Sequence, residues 1–125
     1  MFTTLLQVAM GGAIGASARY LTNVGVMRLI GPGFPWGTLA VNVFGSFLMG
    51  VLVVVLAHKN AMPLAPFMVT GVLGGFTTFS AFSLDVMTLI ERGQINLAIF
   101  YALASVLLSL GAISMALLLL RGVFQ

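Results

Sequence analysis

The stretch that decides the fold is residues 60–84, which read NAMPLAPFMVTGVLGGFTTFSAFSL and contain no charged side chain. It is longer than the roughly 20 apolar residues that cross a bilayer as a helix. Its centre has two adjacent glycines, Gly74 and Gly75, followed by threonine and serine residues. Glycine weakens a helix, and hydroxyl side chains compete for its backbone hydrogen bonds. The sequence therefore predicts a membrane-spanning helix that is broken near residues 74–78.

A break at membrane depth restricts what can surround it. Because lipid cannot form hydrogen bonds with the freed N–H and C=O groups, such backbone must be buried in protein or line a cavity. The amino end of the second half-helix would carry a partial positive charge, which suits an anion. The free carbonyl groups of the first half-helix suit a cation. An anion path and a structural cation can therefore coexist in one broken helix.

The rest of the chain is equally apolar. Hydrophobic residues make up 61% of the 125 residues and charged residues 6%, whereas a soluble domain carries about 25% charged residues. The other uncharged stretches long enough to cross a bilayer are residues 1–18, 29–57 and 93–120. We predict an all-α membrane protein with four transmembrane helices in one transmembrane domain, residues 1–125. The predicted helices are residues 3–30, 38–57, 63–90 and 95–121.

The basic residues are scattered singly along the chain: Arg19, Arg28, Lys59, Arg92 and Arg121. They form no basic patch, so we predict no nucleic-acid partner despite the net charge of +3. If the helices alternate in direction, two of these residues lie on each side of the membrane, with Arg19 undecided. Orientation follows the bias of lysine and arginine between loops. The balance predicts that the chain inserts both ways and pairs as an antiparallel dimer.

The titratable side chains do not suggest an enzyme. The chain has one histidine, His58, two acids, Asp85 and Glu91, and no cysteine. Catalysis needs nucleophiles, acids or metal ligands gathered at one site, and these residues are far apart in the sequence. We therefore predict no enzymatic activity.

Hydroxyl, amide and phenyl groups are instead concentrated in the apolar stretches. Asn42 and Ser46 lie one turn apart on the second helix, and Tyr101, Ser105 and Ser109 repeat every four residues on the fourth. Each of these groups could simply join two helices by a hydrogen bond. Beside a broken helix, donors without a fixed acid suit a small anion.

The first helix offers two features with open interpretations. Gly11 and Gly15 have the spacing that lets helix backbones approach closely, which favours a packing role. Arg19 follows one turn later. It is either an anchor at the membrane surface or a charge that attracts anions to the mouth of a pore.

Together these residues resemble the Fluc fluoride channels, also called CrcB-type proteins. The similarity covers essentially the whole chain and rests on residues 11–15 (GGAIG), 37–42 (GTLAVN) and 74–83 (GGFTTFSAFS), of which the last is the most specific. The resemblance implies a channel that exports fluoride passively from the cytoplasm. It further implies an antiparallel homodimer with two fluoride pathways, embedded in the lipid bilayer of a bacterial inner membrane.

The resemblance also implies roles for individual residues. A sodium ion at the dimer centre would be bound by the backbone carbonyls of Gly74 and Thr77 from both copies. The fluoride pathway would include Arg19, Asn42, Phe79, Ser80, Phe82, Ser83, Tyr101 and Ser105. Asp85 departs from the glutamate that is common in relatives. If this carboxylate guides the anion, its shorter reach alters conduction.

Two other functions compete with this interpretation. Small multidrug transporters have a similar outline and exchange protons for cationic drugs, which requires a membrane-embedded carboxylate. The first helix has no such group, and Asp85 lies toward the end of the third. A subunit that only packs with other proteins would explain the small residues and hydroxyls, but not the glycine pair followed by Phe-Ser-Ala-Phe-Ser.

Overall fold

The computed structural model describes residues 1–125 and is helical throughout, with no strand. The long helices are α1 (Phe2–Ile30), α2 (Trp36–His58) and α5 (Ile95–Val123). Between α2 and α5 the chain forms four shorter elements. These are a 3₁₀ turn (Met62–Leu64), a π-helix (Pro66–Leu73), α3 (Gly74–Phe76) and α4 (Phe79–Glu91).

Three segments are long and apolar enough to cross a membrane: Trp36–His58, Met62–Glu91 and Ile95–Val123. The middle one is interrupted, so the prediction of an all-α membrane protein with one broken span is confirmed, whereas the predicted fourth span at α1 stays a prediction. Helix α1 is as long as α5, but Gln7, Arg19 and Asn23 are among the polar side chains that make it less apolar.

The interruption lies at Thr77 and Thr78, whose backbones are extended, with ψ of 156° and 117°. Gly74 is still helical, with φ of −62° and ψ of −37°. The prediction placed the start of the break three residues too early, because it treated the glycines as its cause. The side chain of Thr78 instead caps α4 by accepting a hydrogen bond from the Ala81 N–H.

Glycines bring α1 and the broken segment into backbone contact. A Cβ added to Gly11 would lie 2.9 Å from the Cα of Gly71, and one on Gly15 would lie 2.9 Å from the Phe76 nitrogen. A Cβ on Gly75 would lie 2.7 Å from the Gly12 oxygen. The glycine spacing in α1 is therefore a packing feature, and it fixes the first half-helix against α1.

The core lies at one end of the molecule, where the α1–α2 loop, α2, α4 and α5 meet. Its buried side chains are Leu39, Leu89, Ala98 and Tyr101. Phe34 of the loop and Phe82 of α4 pack against this cluster. The core therefore holds the start of α5 beside α4.

Candidate functional site

The amide of Asn42 joins α2 to the break. Its Nδ2 donates to the Thr78 oxygen at 3.0 Å, and its Oδ1 accepts from the Thr78 N–H at 2.8 Å. The side chain thereby satisfies both backbone groups of an extended residue inside a helical segment. An amide nitrogen carries two hydrogens, so one remains available to another acceptor.

The same contacts leave two carbonyl groups free. In an unbroken helix the Thr78 N–H would bond to the Gly74 oxygen, and the Ala81 N–H to the Thr77 oxygen. Here the first N–H donates to Asn42 and the second to the Thr78 hydroxyl. The carbonyls of Gly74 and Thr77 therefore accept no backbone hydrogen bond across the break. Gly74 is also exposed on the surface of the single chain.

Arg19 lies against the other carbonyls at the end of α3. Its Nε donates to the Gly75 oxygen at 3.2 Å, and the side chain is half-buried. A cation at the carboxyl end of a helix interacts favourably with the partial negative charge there. The structure thus gives Arg19 a partner that neither sequence interpretation included.

A cavity of about 340 Å³ opens beside the break, between α2, α4 and α5. Its lining residues are Asn42, Ser46, Thr77, Thr78, Phe79, Phe82, Ser105, Val106, Ser109 and Leu110. None of them has a titratable side chain. The hydroxyl of Ser105 is buried, with 5% of the residue exposed, and has no hydrogen-bond partner. The Tyr101 hydroxyl lies near that of Ser105, but the two do not form a hydrogen bond of good geometry. Because a buried hydroxyl without a partner is costly, a polar ligand in the cavity would be favourable here.

Two phenyl rings form one wall of this cavity. The ring centroids of Phe79 and Phe82 are 5.5 Å apart, and the ring planes are inclined at 54°. The edge of an aromatic ring carries partial positive charge. The cavity therefore offers hydroxyls, an amide and ring edges, without a fixed negative charge.

The structure brings together four of the predicted pathway residues: Asn42, Phe79, Phe82 and Ser105. It does not bring Ser80 and Ser83 to the cavity. Both are exposed; the Ser80 hydroxyl lies 3.2 Å from the Thr78 hydroxyl, and that of Ser83 donates to the Phe79 oxygen.

Tyr101 lies outside the cavity lining, behind the ring of Phe82. It is fully buried, and its ring centroid is 5.2 Å from that of Phe82. Its hydroxyl donates to Oδ2 of Asp85 at 3.0 Å. Asp85 in turn lines two smaller cavities, of about 170 and 180 Å³, at the α1–α2 loop. Tyr101 therefore stands between the large cavity and the two small ones.

The predicted fluoride pathway left out four residues that line the cavity, Ser46, Thr77, Thr78 and Ser109; Thr77 was predicted only as a sodium ligand. Ser46 and Ser109 each follow a selected residue, Asn42 or Ser105, by four positions. One helical turn places such pairs on the same face. The sequence analysis placed both serines in these polar stripes, but the predicted pathway included only Asn42 and Ser105 from them.

A family model described as "CrcB-like protein, Camphor Resistance (CrcB)" matches residues 6–117. The chain belongs to the CrcB-like family. The predicted family is therefore confirmed, and the matched range includes both sides of the break and every residue that lines the large cavity.

The CrcB-like chain is also similar over nearly its full length to curated bacterial proteins. It is 66% identical over 122 residues to a protein of Cereibacter sphaeroides, with 98% of both chains covered. It is 57% identical over 121 residues to one of Paracoccus denitrificans, with 97% of both covered. It is 56% identical over 124 residues to one of a Ruegeria species. Each relative is named "Fluoride-specific ion channel FluC". These channel names agree with the prediction that the CrcB-like chain is not an enzyme.

Proposed function

We propose that this multi-pass membrane protein is a fluoride-selective channel through which fluoride leaves the cytoplasm passively. The observation that carries the proposal is the cavity beside the break, where the buried hydroxyl of Ser105 has no partner. A small anion suits such donors, because hydroxyl and amide protons replace its water while no carboxylate repels it. The names of the relatives support fluoride as this anion.

Three kinds of group would act on the ion in this cavity. The free amide hydrogen of Asn42 and the Ser105 hydroxyl donate hydrogen bonds to it. The rings of Phe79 and Phe82 present their positive edges. The amino end of α4, which begins at Phe79, adds the partial positive charge of a helix terminus. None of these groups holds a full charge, so the ion is not trapped.

The rest of the pathway follows from the residues around the cavity. We assign Tyr101 and Asp85 to one end of it, because both lie beyond Phe82 toward the two smaller cavities. Ser80 and Ser83 would line the path only where a second copy covers α4. Arg19 supports the break through Gly75 and attracts anions toward it.

We also propose that the channel is an antiparallel homodimer in which α1 is a fourth membrane span. Ser80 and Ser83 support this, because they are exposed polar groups on a membrane-spanning segment. At membrane depth such groups face protein or water rather than lipid. The even distribution of basic residues between the two ends of the helices supports the antiparallel arrangement.

A sodium ion at the centre of this dimer is consistent with the free carbonyls. Oxygen atoms of interrupted helices are typical ligands of sodium in membrane proteins, and those of Gly74 and Thr77 accept no backbone hydrogen bond across the break. One chain supplies few such oxygens, so a second copy that contributes the same two carbonyls would double their number around the ion. The residues present therefore fit the ion, which would hold the two breaks together.

The test is ion efflux from liposomes that contain the purified protein and potassium fluoride. After a potassium ionophore is added, a fluoride electrode should record rapid release, and a parallel preparation with chloride should release little. Liposomes without protein are the control. Equal release of both ions, or release of neither, would contradict a fluoride-selective channel.

A further inference from the structure

The loop between α1 and α2 places one aromatic ring against the core. Gly31 and Gly33 adopt φ of 93° and 114°, a conformation that glycine accepts without strain. The ring centroid of Phe34 then lies 5.4 Å from that of Tyr101, at an interplanar angle of 87°. This edge-to-face arrangement is a favourable one for two aromatic rings.

Tyr101 packs against two aromatic rings, one from a helix and one from a loop. Phe82, on one side, belongs to α4, a helix of 13 residues. Phe34, on the other, belongs to a short loop with two glycines and two prolines. The hydroxyl of Tyr101 donates to the carboxylate of Asp85, and the side chains of Thr38 and Ser105 lie near it. The orientation of the phenol therefore depends on both rings.

Phe34 also lies between two small cavities and the phenol of Tyr101. The cavities of about 170 and 180 Å³ are both lined by Phe34 and by Asp85. Tyr101 itself is 0% exposed. Removing the Phe34 ring would open space next to Asp85 and Tyr101, in which water could compete for the Tyr101 hydroxyl.

We infer that Phe34 is a positioning residue of the fluoride pathway, and that it holds the ring of Tyr101 so that the phenol hydroxyl stays on Asp85. The inference rests on the proposed function, since the hydroxyl matters to an ion only if fluoride passes it. Phe34 does not line the cavity of about 340 Å³, but its ring packs against Tyr101, so it acts through Tyr101.

The first test is a double-mutant cycle of fluoride efflux with wild type, Phe34→Leu, Tyr101→Phe and the double variant. Leucine keeps bulk and removes the ring. Phe34→Leu should slow efflux by about twofold to tenfold, the range of one aromatic pair, and should slow it no further when the hydroxyl is absent. The same factor in both backgrounds would overturn the inference. Phe34→Tyr, which keeps the ring, should restore most of the rate.

A matched control comes from Phe100, whose ring is 6.0 Å from Phe34 but is 58% exposed. Phe100→Ala removes a ring from the outer side of Phe34 and should leave efflux at the wild-type rate. The single tryptophan, Trp36, lies 4.5 Å from Phe34. Its emission maximum reports whether the loop is folded in each variant.

The second test does not depend on conduction. The chain has two tyrosines, of which Tyr20 is 67% exposed, so Tyr20→Phe leaves Tyr101 as the only tyrosine that tetranitromethane can convert to nitrotyrosine. Phe34→Leu in this background should be nitrated severalfold faster than the chain that keeps Phe34. Unchanged nitration would overturn the inference, and this result decides if Tyr101→Phe conducts too slowly to measure.

Failure of the proposed function and failure of the role of Phe34 give different results. If wild-type liposomes release no fluoride, the proposed function fails, whatever the nitration result. If wild type conducts and the cycle is additive, only the role of Phe34 fails.

Discussion

Replacing Asn42 by alanine removes both hydrogen bonds that hold Thr78 at the break. Each bond contributes about 1 kcal/mol net, and a backbone group left without a partner costs about 1–3 kcal/mol. Water in the adjoining cavity can replace part of what is lost. We therefore expect Asn42→Ala to lower the free energy of unfolding by about 2–4 kcal/mol. This is the lower part of the range for two backbone groups that lose their partner, because water offsets some of the cost.

The assay is equilibrium unfolding in mixed micelles with increasing sodium dodecyl sulfate, followed by the loss of helical circular dichroism. Ser46→Ala is the control. Ser46 lies one turn further along α2 and lines the same cavity, but its hydroxyl makes no hydrogen bond to the rest of the chain. Equal stability of the two variants would refute the argument that Asn42 clamps the break.

Replacing Asn42 by aspartate, which has the same shape, distinguishes the two hydrogen bonds to Thr78. In Asn42→Asp one carboxylate oxygen can still accept from the Thr78 N–H, but the other replaces a donor and faces the Thr78 oxygen. We expect the variant to be destabilised and to conduct less fluoride than wild type, because a fixed negative charge then lines the cavity. An unchanged efflux rate would remove Asn42 from the pathway.

Three further predictions concern the rings, the glycines and the cation. Phe79→Ile or Phe82→Ile should slow fluoride efflux while leaving a folded dimer on gel filtration, since bulk remains but the ring edge is lost; wild-type rates would exclude both rings. Gly75→Ala should cost about 1–3 kcal/mol by overpacking, whereas Gly25→Ala, where an added Cβ meets nothing within 4 Å, should cost nothing; equal effects would contradict the contact with α1. Replacing all sodium by potassium should lower the melting temperature of the dimer, and an unchanged melting curve would argue against the central ion.

The membrane class and the existence of a break could be predicted from the sequence because both depend on local composition. Charges are too few for a soluble surface, and the glycines and hydroxyls of residues 74–83 disfavour a regular helix. The position of the break could not be predicted. Gly74 and Gly75 remain helical, and the extended backbone of Thr78 is held by Asn42, which is 36 residues away in the sequence.

The candidate site could be predicted only in part, because helical spacing is visible in the sequence whereas contacts between distant residues are not. A donor stripe with four-residue spacing identifies Asn42 and Ser105, because helical geometry puts such residues on one face. The place of Phe34 in the core had no comparable signal, since a loop aromatic reveals neither its direction nor its neighbour. The contact of Arg19 with Gly75 likewise joins residues 56 positions apart.

In the proposed channel, the single side chain of Asn42 would affect the binding of two different ions. By taking the Thr78 N–H, it deprives the Gly74 carbonyl of its helical donor, and that carbonyl is one of the proposed sodium ligands. Asn42 also lines the proposed anion cavity, where its remaining amide hydrogen would bind the anion. A variant designed to work without the proposed sodium ion would therefore change residue 42 on α2, so that the Thr78 N–H can bond to the Gly74 carbonyl again. A second change, on α5, would have to replace the hydrogen-bond donor that the anion loses.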